Sequence, residues 1–163
     1  MRNLIALSSL ALLLATTAAR AADPEPAPAG KTAGPPEVAW KDMSKEQKAK
    51  FMKTVIVPKM KVAFQKFDPK AFEKFGCATC HGKDAKAREF KMPNPEIHAL
   101  PNSEEGFKAM LKKKPDWERW AKFMGGEVEP KTAALLGMAP FDPKKPDPNS
   151  FGCNRCHVVK KLD

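Results

Sequence analysis

The strongest periodicity along the chain is helical. After Ser44, apolar residues fall at Ala49, Met52, Val55 and Ile56, at the spacing of one helix face. Ser44 followed three residues later by Gln47 is a capping box, so a helix is expected to begin there. Pro58 lacks the N–H that a helix needs and should end or kink it. A second stretch puts Trp117, Trp120, Ala121 and Met124 on a common face, and Gly125-Gly126 should stop that helix. Asp68-Pro69 and Asp142-Pro143 each read as an N-cap followed by proline at the first helical position. No run alternates apolar and polar residues as a half-buried strand would. The expected fold class is all-α.

These elements occur twice. Ala49-Lys50-Phe51-Met52 recurs as Ala121-Lys122-Phe123-Met124, and Pro58-Lys59 recurs as Pro130-Lys131. Farther on, Phe67-Asp68-Pro69-Lys70 matches Phe141-Asp142-Pro143-Lys144, and Phe75-Gly76-Cys77 matches Phe151-Gly152-Cys153. Because the matches keep their order, residues 37–163 read as two helical repeats, units of about 37–102 and 103–163. Each unit carries a Phe-Met helix, a proline-led second segment, an Asp-Pro turn and then a cysteine motif.

The start of the chain follows a different pattern. Arg2 precedes an apolar run from Leu4 to Ala15, and Ala19-Arg20-Ala21 fits a small-residue cleavage site, so residues 1–21 read as a secretory signal peptide. The run is too short for a membrane-spanning helix of about 20 residues. Residues 22–36, rich in Pro, Ala and Gly, read as a linker. The expected destination is the periplasm, with no integral membrane segment after cleavage. The total of 163 residues, 42% hydrophobic and 29% charged, leaves room for one small domain and excludes a large multidomain enzyme.

All four cysteines and two of the three histidines lie in Cys77-Ala78-Thr79-Cys80-His81 and Cys153-Asn154-Arg155-Cys156-His157. This is the C-x-x-C-H signature of covalent haem attachment: two thiols form thioethers to the vinyl groups and the adjoining imidazole coordinates iron. Paired disulfides or a zinc site are the competing readings, and neither accounts for the adjoining histidines. A thioredoxin-like motif would need strands around it. On these two motifs the chain resembles a c-type cytochrome. The resemblance implies two covalently attached haem c groups on Cys77, Cys80, Cys153 and Cys156, with His81 and His157 as proximal iron ligands. The fold class then sharpens to a small dihaem cytochrome c, with porphyrin faces packed by Phe51, Phe64, Phe67, Phe72, Phe75, Phe123, Phe141 and Phe151.

The opposite axial position decides whether each iron moves electrons or binds a small molecule. Only Val158 to Asp163 follow His157, and none of these ligates iron well, so the second haem must draw its ligand from upstream or from another molecule. The repeat singles out Met124, with Met52 as its counterpart. A helix-borne Met ahead of C-x-x-C-H resembles the multihaem cytochrome subunit of photosynthetic reaction centres, although the spacing is longer here. Rivals are Met60, whose repeat partner is Thr132; Met92, in a Met-Pro context; Met138; and His98, the one histidine outside the motifs.

Charge suggests a partner. The chain carries +10, and removing Arg2 and Arg20 from its 29 basic residues leaves 27 against 19 acidic ones, or +8. Haem propionates would contribute about four negative charges. Lys112-Lys113-Lys114 and the lysines between Lys45 and Lys70 are an expected docking face for an acidic redox partner protein, unless they are only a solvated surface. Nucleic acid is not an expected partner of an exported chain. The expected function is periplasmic single-electron transfer without a catalytic residue. A peroxidase-like enzyme or gas sensor with one open axial position is the alternative.

Overall fold

The computed structural model describes residues 36–161. The expected signal peptide, 1–21, and all of the expected linker except Pro36 lie outside the described residues. A 3₁₀ turn, Trp40–Asp42, leads into α1, Lys45–Phe51. The capping box forms as the sequence requires: Gln47 N–H donates to Ser44 Oγ at 3.2 Å, and Ser44 N–H donates to Gln47 Oε1 at 2.7 Å.

Pro58 does not end the helix. The chain widens into a π turn, Met52–Ile56, in which the Val57 N–H reaches back five residues to the Met52 carbonyl. The helix then continues as α2, Val57–Phe67. The wider turn accommodates a proline whose ring crowds the preceding turn and whose N–H is missing. The second unit repeats this device. There α5, Trp117–Phe123, passes through a π turn at Met124–Val128, where the Glu129 N–H donates to the Met124 carbonyl, into α6, Glu129–Leu136. Gly125-Gly126 therefore does not stop the helix, contrary to the sequence expectation. The stop is Gly137, which takes the left-handed conformation at φ 67°.

The two units pack reciprocally, α2 against the second π turn and α6 against the first. This is the self-complementary pattern of a twofold arrangement, here within one chain. Near its centre the repeat partners Met60 and Thr132 meet. The Thr132 hydroxyl donates to the Val128 carbonyl at 2.6 Å and lies 3.7 Å from Met60 Sδ. Around them Ile56, Phe64, Phe123, Ala133, Leu135, Leu136 and Phe151 form the buried core. Phe123 is its hub: Phe67 stacks on it at 4.1 Å and Phe64 meets it edge-on at 5.1 Å. Phe51, Phe72 and Phe75 pack at the margin, but Phe141, expected among the packing partners, is 45% exposed. Its backbone supplies the contact instead, with its N–H donating to the Phe151 carbonyl at 2.9 Å.

The Asp-Pro pairs do not start helices. Asp68 Oδ1 accepts from the Ala71 N–H, and Asp142 Oδ1 from the Lys144 N–H, so each side chain caps a turn. Short turns then lead to α3, Cys77–His81, and to a 3₁₀ turn, Cys153–Arg155. A further helix, α4, Glu104–Lys113, is capped by the Ser103 hydroxyl. One element was not expected: β1, Leu100–Pro101, pairs in parallel with β2, Val159–Lys160. The fold is otherwise mostly helical. Among the described residues no helix is long and apolar enough to cross a membrane.

Candidate functional site

The two C-x-x-C-H peptides lie side by side. Each exposes its first cysteine, Cys77 or Cys153, and half-buries its second, Cys80 or Cys156, and all four thiols are unlinked. Burial pushes the Cys80 thiol up to about 11 and that of Cys156 up to about 12, each raised further by a neighbouring cysteine; for Cys156 that neighbour is Cys80. Although the residue as a whole is exposed, the Cys153 sulfur is partly enclosed, and this enclosure with its hydrogen bond to Glu129 Oε2 at 3.2 Å pushes the thiol up to about 12. These three sulfurs stay protonated at neutral pH. That is the reverse of the lowered thiol of a thioredoxin-like site. Among the described residues no cluster of three or more His, Cys, Asp or Glu side chains is arranged to hold a metal ion.

The first motif forms a helical turn closed by Gly82 at φ 86°, where a Cβ would collide with the Glu96 and Asn94 side chains. Residues 82–96 then wrap around it. Arg88 donates through Nη2 to the His81 carbonyl at 2.5 Å, through Nη1 to the Lys91 carbonyl at 3.0 Å, and through Nε to Asp84 Oδ1 at 2.8 Å. Glu96 accepts from the Lys83 N–H at 3.1 Å. The His81 ring meets Phe90 edge-on at 5.5 Å. Burial holds its imidazole below the usual histidine range, opposed by the nearby Phe90 backbone. Its Nδ1 is buried without a hydrogen bond of ordinary geometry. The shift favours the neutral imidazole, the form that ligates a metal.

The second motif is held differently. The His157 N–H donates to the Cys153 carbonyl at 2.8 Å, and Arg155 braces the turn by donating to the Ser150 and Pro148 carbonyls. His157 Nδ1 lies 2.7 Å from the His98 carbonyl oxygen. A carbonyl can only accept, so Nδ1 carries the proton, and in the neutral ring Nε2 is the nitrogen left to ligate. A backbone carbonyl on the non-ligating nitrogen is the usual support of a metal-bound histidine. The residues present thus fit the group the motifs imply: each motif has two unlinked thiols and an imidazole, and that of His157 already carries the tautomer iron requires.

The axial candidates occupy contrasting places. Met52 and Met124 are equivalent, each half-buried at the first position of a π turn and packed against the core. Met60 is 3% exposed inside that core. Met138 packs at its margin, and Met92 is half-buried in the loop between the motifs. The exposed His98 ring lies on Trp117, with centroids 4.1 Å apart, while its backbone serves His157. Sequence reasoning missed Asn94, which is fully buried and touches both motifs, along with Arg88, Arg155 and Glu129. The only signal for Asn94 was its isolation between Pro93 and Pro95. No family model, curated protein or solved structure matches the chain.

Proposed function

We propose that the chain is a periplasmic dihaem c-type cytochrome that carries single electrons between redox partners. The observation that carries this reading is the 2.7 Å hydrogen bond from His157 Nδ1 to the His98 carbonyl, which leaves Nε2 free at the position where the motif implies an iron ligand. Cys77 and Cys80 would hold one haem, and Cys153 and Cys156 the other, with His81 and His157 as proximal ligands. Bound there, haem supplies reversible one-electron chemistry at iron. The protein residues hold the attachment peptides in place, favour the neutral form of the His81 imidazole, orient that of His157 and keep bulk water from the inner cysteines.

Met52 and Met124 are the proposed sixth ligands, supported by their equivalence in the two π turns. Met60 is the weaker choice, since its sulfur is enclosed by the core and approached by Thr132. Met92 and His98 remain the rivals for single sites. The exposed lysines Lys112, Lys113 and Lys114 suit an acidic redox partner, whose association would weaken with salt.

The test is expression in a host with c-type maturation, followed by mass measurement under denaturing conditions and a pyridine haemochrome spectrum. Two covalent haems per chain are expected. A colourless product with the mass of the bare polypeptide would overturn the reading. Carbon monoxide added to the reduced protein then separates carrier from gas sensor or peroxidase, because six-coordinate sites leave the spectrum nearly unchanged.

A further inference from the structure

Between the two motifs sits one side chain with no solvent exposure, the amide of Asn94. Every hydrogen-bonding group of this residue that the structure engages points to one motif or to the loop that wraps it. Its backbone N–H donates to the Cys156 carbonyl at 2.9 Å. Its side-chain Nδ2 donates to the Cys80 carbonyl at 3.0 Å. Its Oδ1 accepts from the Glu96 N–H at 2.9 Å and, more weakly, from Arg88 Nη2 at 3.4 Å. Arg88 in turn holds the His81 carbonyl. The bridge pairing of Asn94 with His157 continues into the β1–β2 pair, where the Leu100 N–H donates to the Val158 carbonyl at 2.8 Å.

Both carbonyls that Asn94 engages belong to the second cysteine of a motif, the residue immediately before the histidine. A buried amide satisfied on both sides is costly to displace, because any motion of one motif against the other leaves a polar group unpaired out of water. Such a clamp exceeds what folding the loop requires. The wrap around the first motif is already closed by Arg88 and Glu96, and the second is already braced by Arg155. Among the described residues, Asn94 alone bonds to both.

We infer that Asn94 is a positioning residue that locks the two attachment peptides into one rigid unit, so that the two irons keep a single fixed separation and exchange electrons within the chain. This rests on the dihaem reading. Groups that must act together need placement within a fraction of an ångström, supplied by a second layer of fixed hydrogen bonds.

The test measures the iron-to-iron distance distribution in the oxidised holoprotein by pulsed electron paramagnetic resonance, together with a two-step redox titration. The wild type is expected to give one narrow distance and two midpoint potentials that shift each other. Asn94→Asp keeps the shape and the backbone bond to Cys156 but removes the donor to Cys80; both haems should remain, while the narrow distance and the mutual shift are lost. Asn94→Ser should do the same. Ser150→Ala, which removes another buried side-chain hydrogen bond, to the Asp147 carbonyl, is the control and should change neither reading. A wild type with a broad distance distribution overturns the inference even if no Asn94 variant matures. So does an Asn94→Asp protein that melts lower yet keeps distance and coupling. A wild type without haem overturns the dihaem reading itself, whereas a haem-loaded protein with these results overturns only the role of Asn94.

Discussion

The helical halves of the two units agree closely, and the motif-bearing halves do not. In the first halves, α1–α2 and α5–α6 place Pro58 and Pro130 just beyond a π turn that opens on Met52 or Met124, and each half packs against the turn of the other. In the second halves, one C-x-x-C-H peptide is a helical turn wrapped by its own following loop. The other is a 3₁₀ turn whose histidine leans on a carbonyl from the first unit. The helical likeness comes from local chemistry, since a proline six residues after the Met of a helical Phe-Met imposes the same backbone problem twice. The motifs diverge because what surrounds them differs: the first is followed by a loop that wraps it and the second by the short strand β2, paired with β1.

Removing one motif tests that division most severely. Cys77→Ser with Cys80→Ser, or Cys153→Ser with Cys156→Ser, should each halve the covalently bound haem, as read by denatured mass and haemochrome absorbance. If the second motif depends on the first unit for the His98 carbonyl, the former pair should also disturb the spectrum of the surviving haem. The latter pair should leave its neighbour closer to wild type.

Core truncation comes next. Phe123 and Phe51 are repeat partners, but Phe123 is buried as the hub and Phe51 only flanks it. Phe123→Ala should cost about 3–5 kcal/mol in chemical denaturation. Phe141→Ala, at a site that the repeat alone would rate like Phe67, should stay within about 0.5 kcal/mol because its ring is exposed. Equal losses for the two would refute the assignment of the core.

The π turns can be made more alike. Gly125 and Gly126 stand where the first unit has Lys53 and Thr54, neither takes a positive φ, and a Cβ at either would meet nothing within 4 Å. Gly125→Ala and Gly126→Ala should each raise stability by about 0.5–1 kcal/mol, seen as a higher denaturation midpoint. A decrease would mean that the second turn needs freedom that the first does not.

The smallest expected effect is one of pH. Arg88 braces the first motif in partnership with Asp84, whose carboxyl it holds below the usual range by a hydrogen bond, with Glu96 adding to the effect. A carboxylate depressed in the folded state stabilises at neutral pH and loses that contribution as pH falls through its folded value. Arg155 braces the second motif through backbone carbonyls alone, which do not titrate. Amide hydrogen exchange below pH 4 should therefore speed up in residues 82–91 before it does so around Cys153–Arg155, modestly because Asp84 is exposed.

Much of this molecule could be read from the residues in order. The capping box at Ser44, the paired prolines and the two C-x-x-C-H peptides are short-range patterns, and each is set by atoms within a few positions of one another. Local rules misjudged Gly125-Gly126, which does not stop the helix, and at Pro58 left open an ending that the structure replaces with a π turn. A helix breaker is tolerated when the packing of the opposite unit holds the segment helical and a wider turn absorbs the clash. The Asp-Pro pairs went the other way, because a capped turn needs no helix behind it. Arg88 and the carbonyl of His98 gave no legible signal, and Asn94 gave only its place between two prolines, since their partners lie far off in sequence or on the backbone, where side-chain identity is silent. The sequence by itself determined the helix start at Ser44, the repeat and the placing of every cysteine in a C-x-x-C-H peptide. The tertiary structure alone decided that the two binding peptides sit together, because hydrogen bonds and close packing between distant segments exist only once the chain has folded.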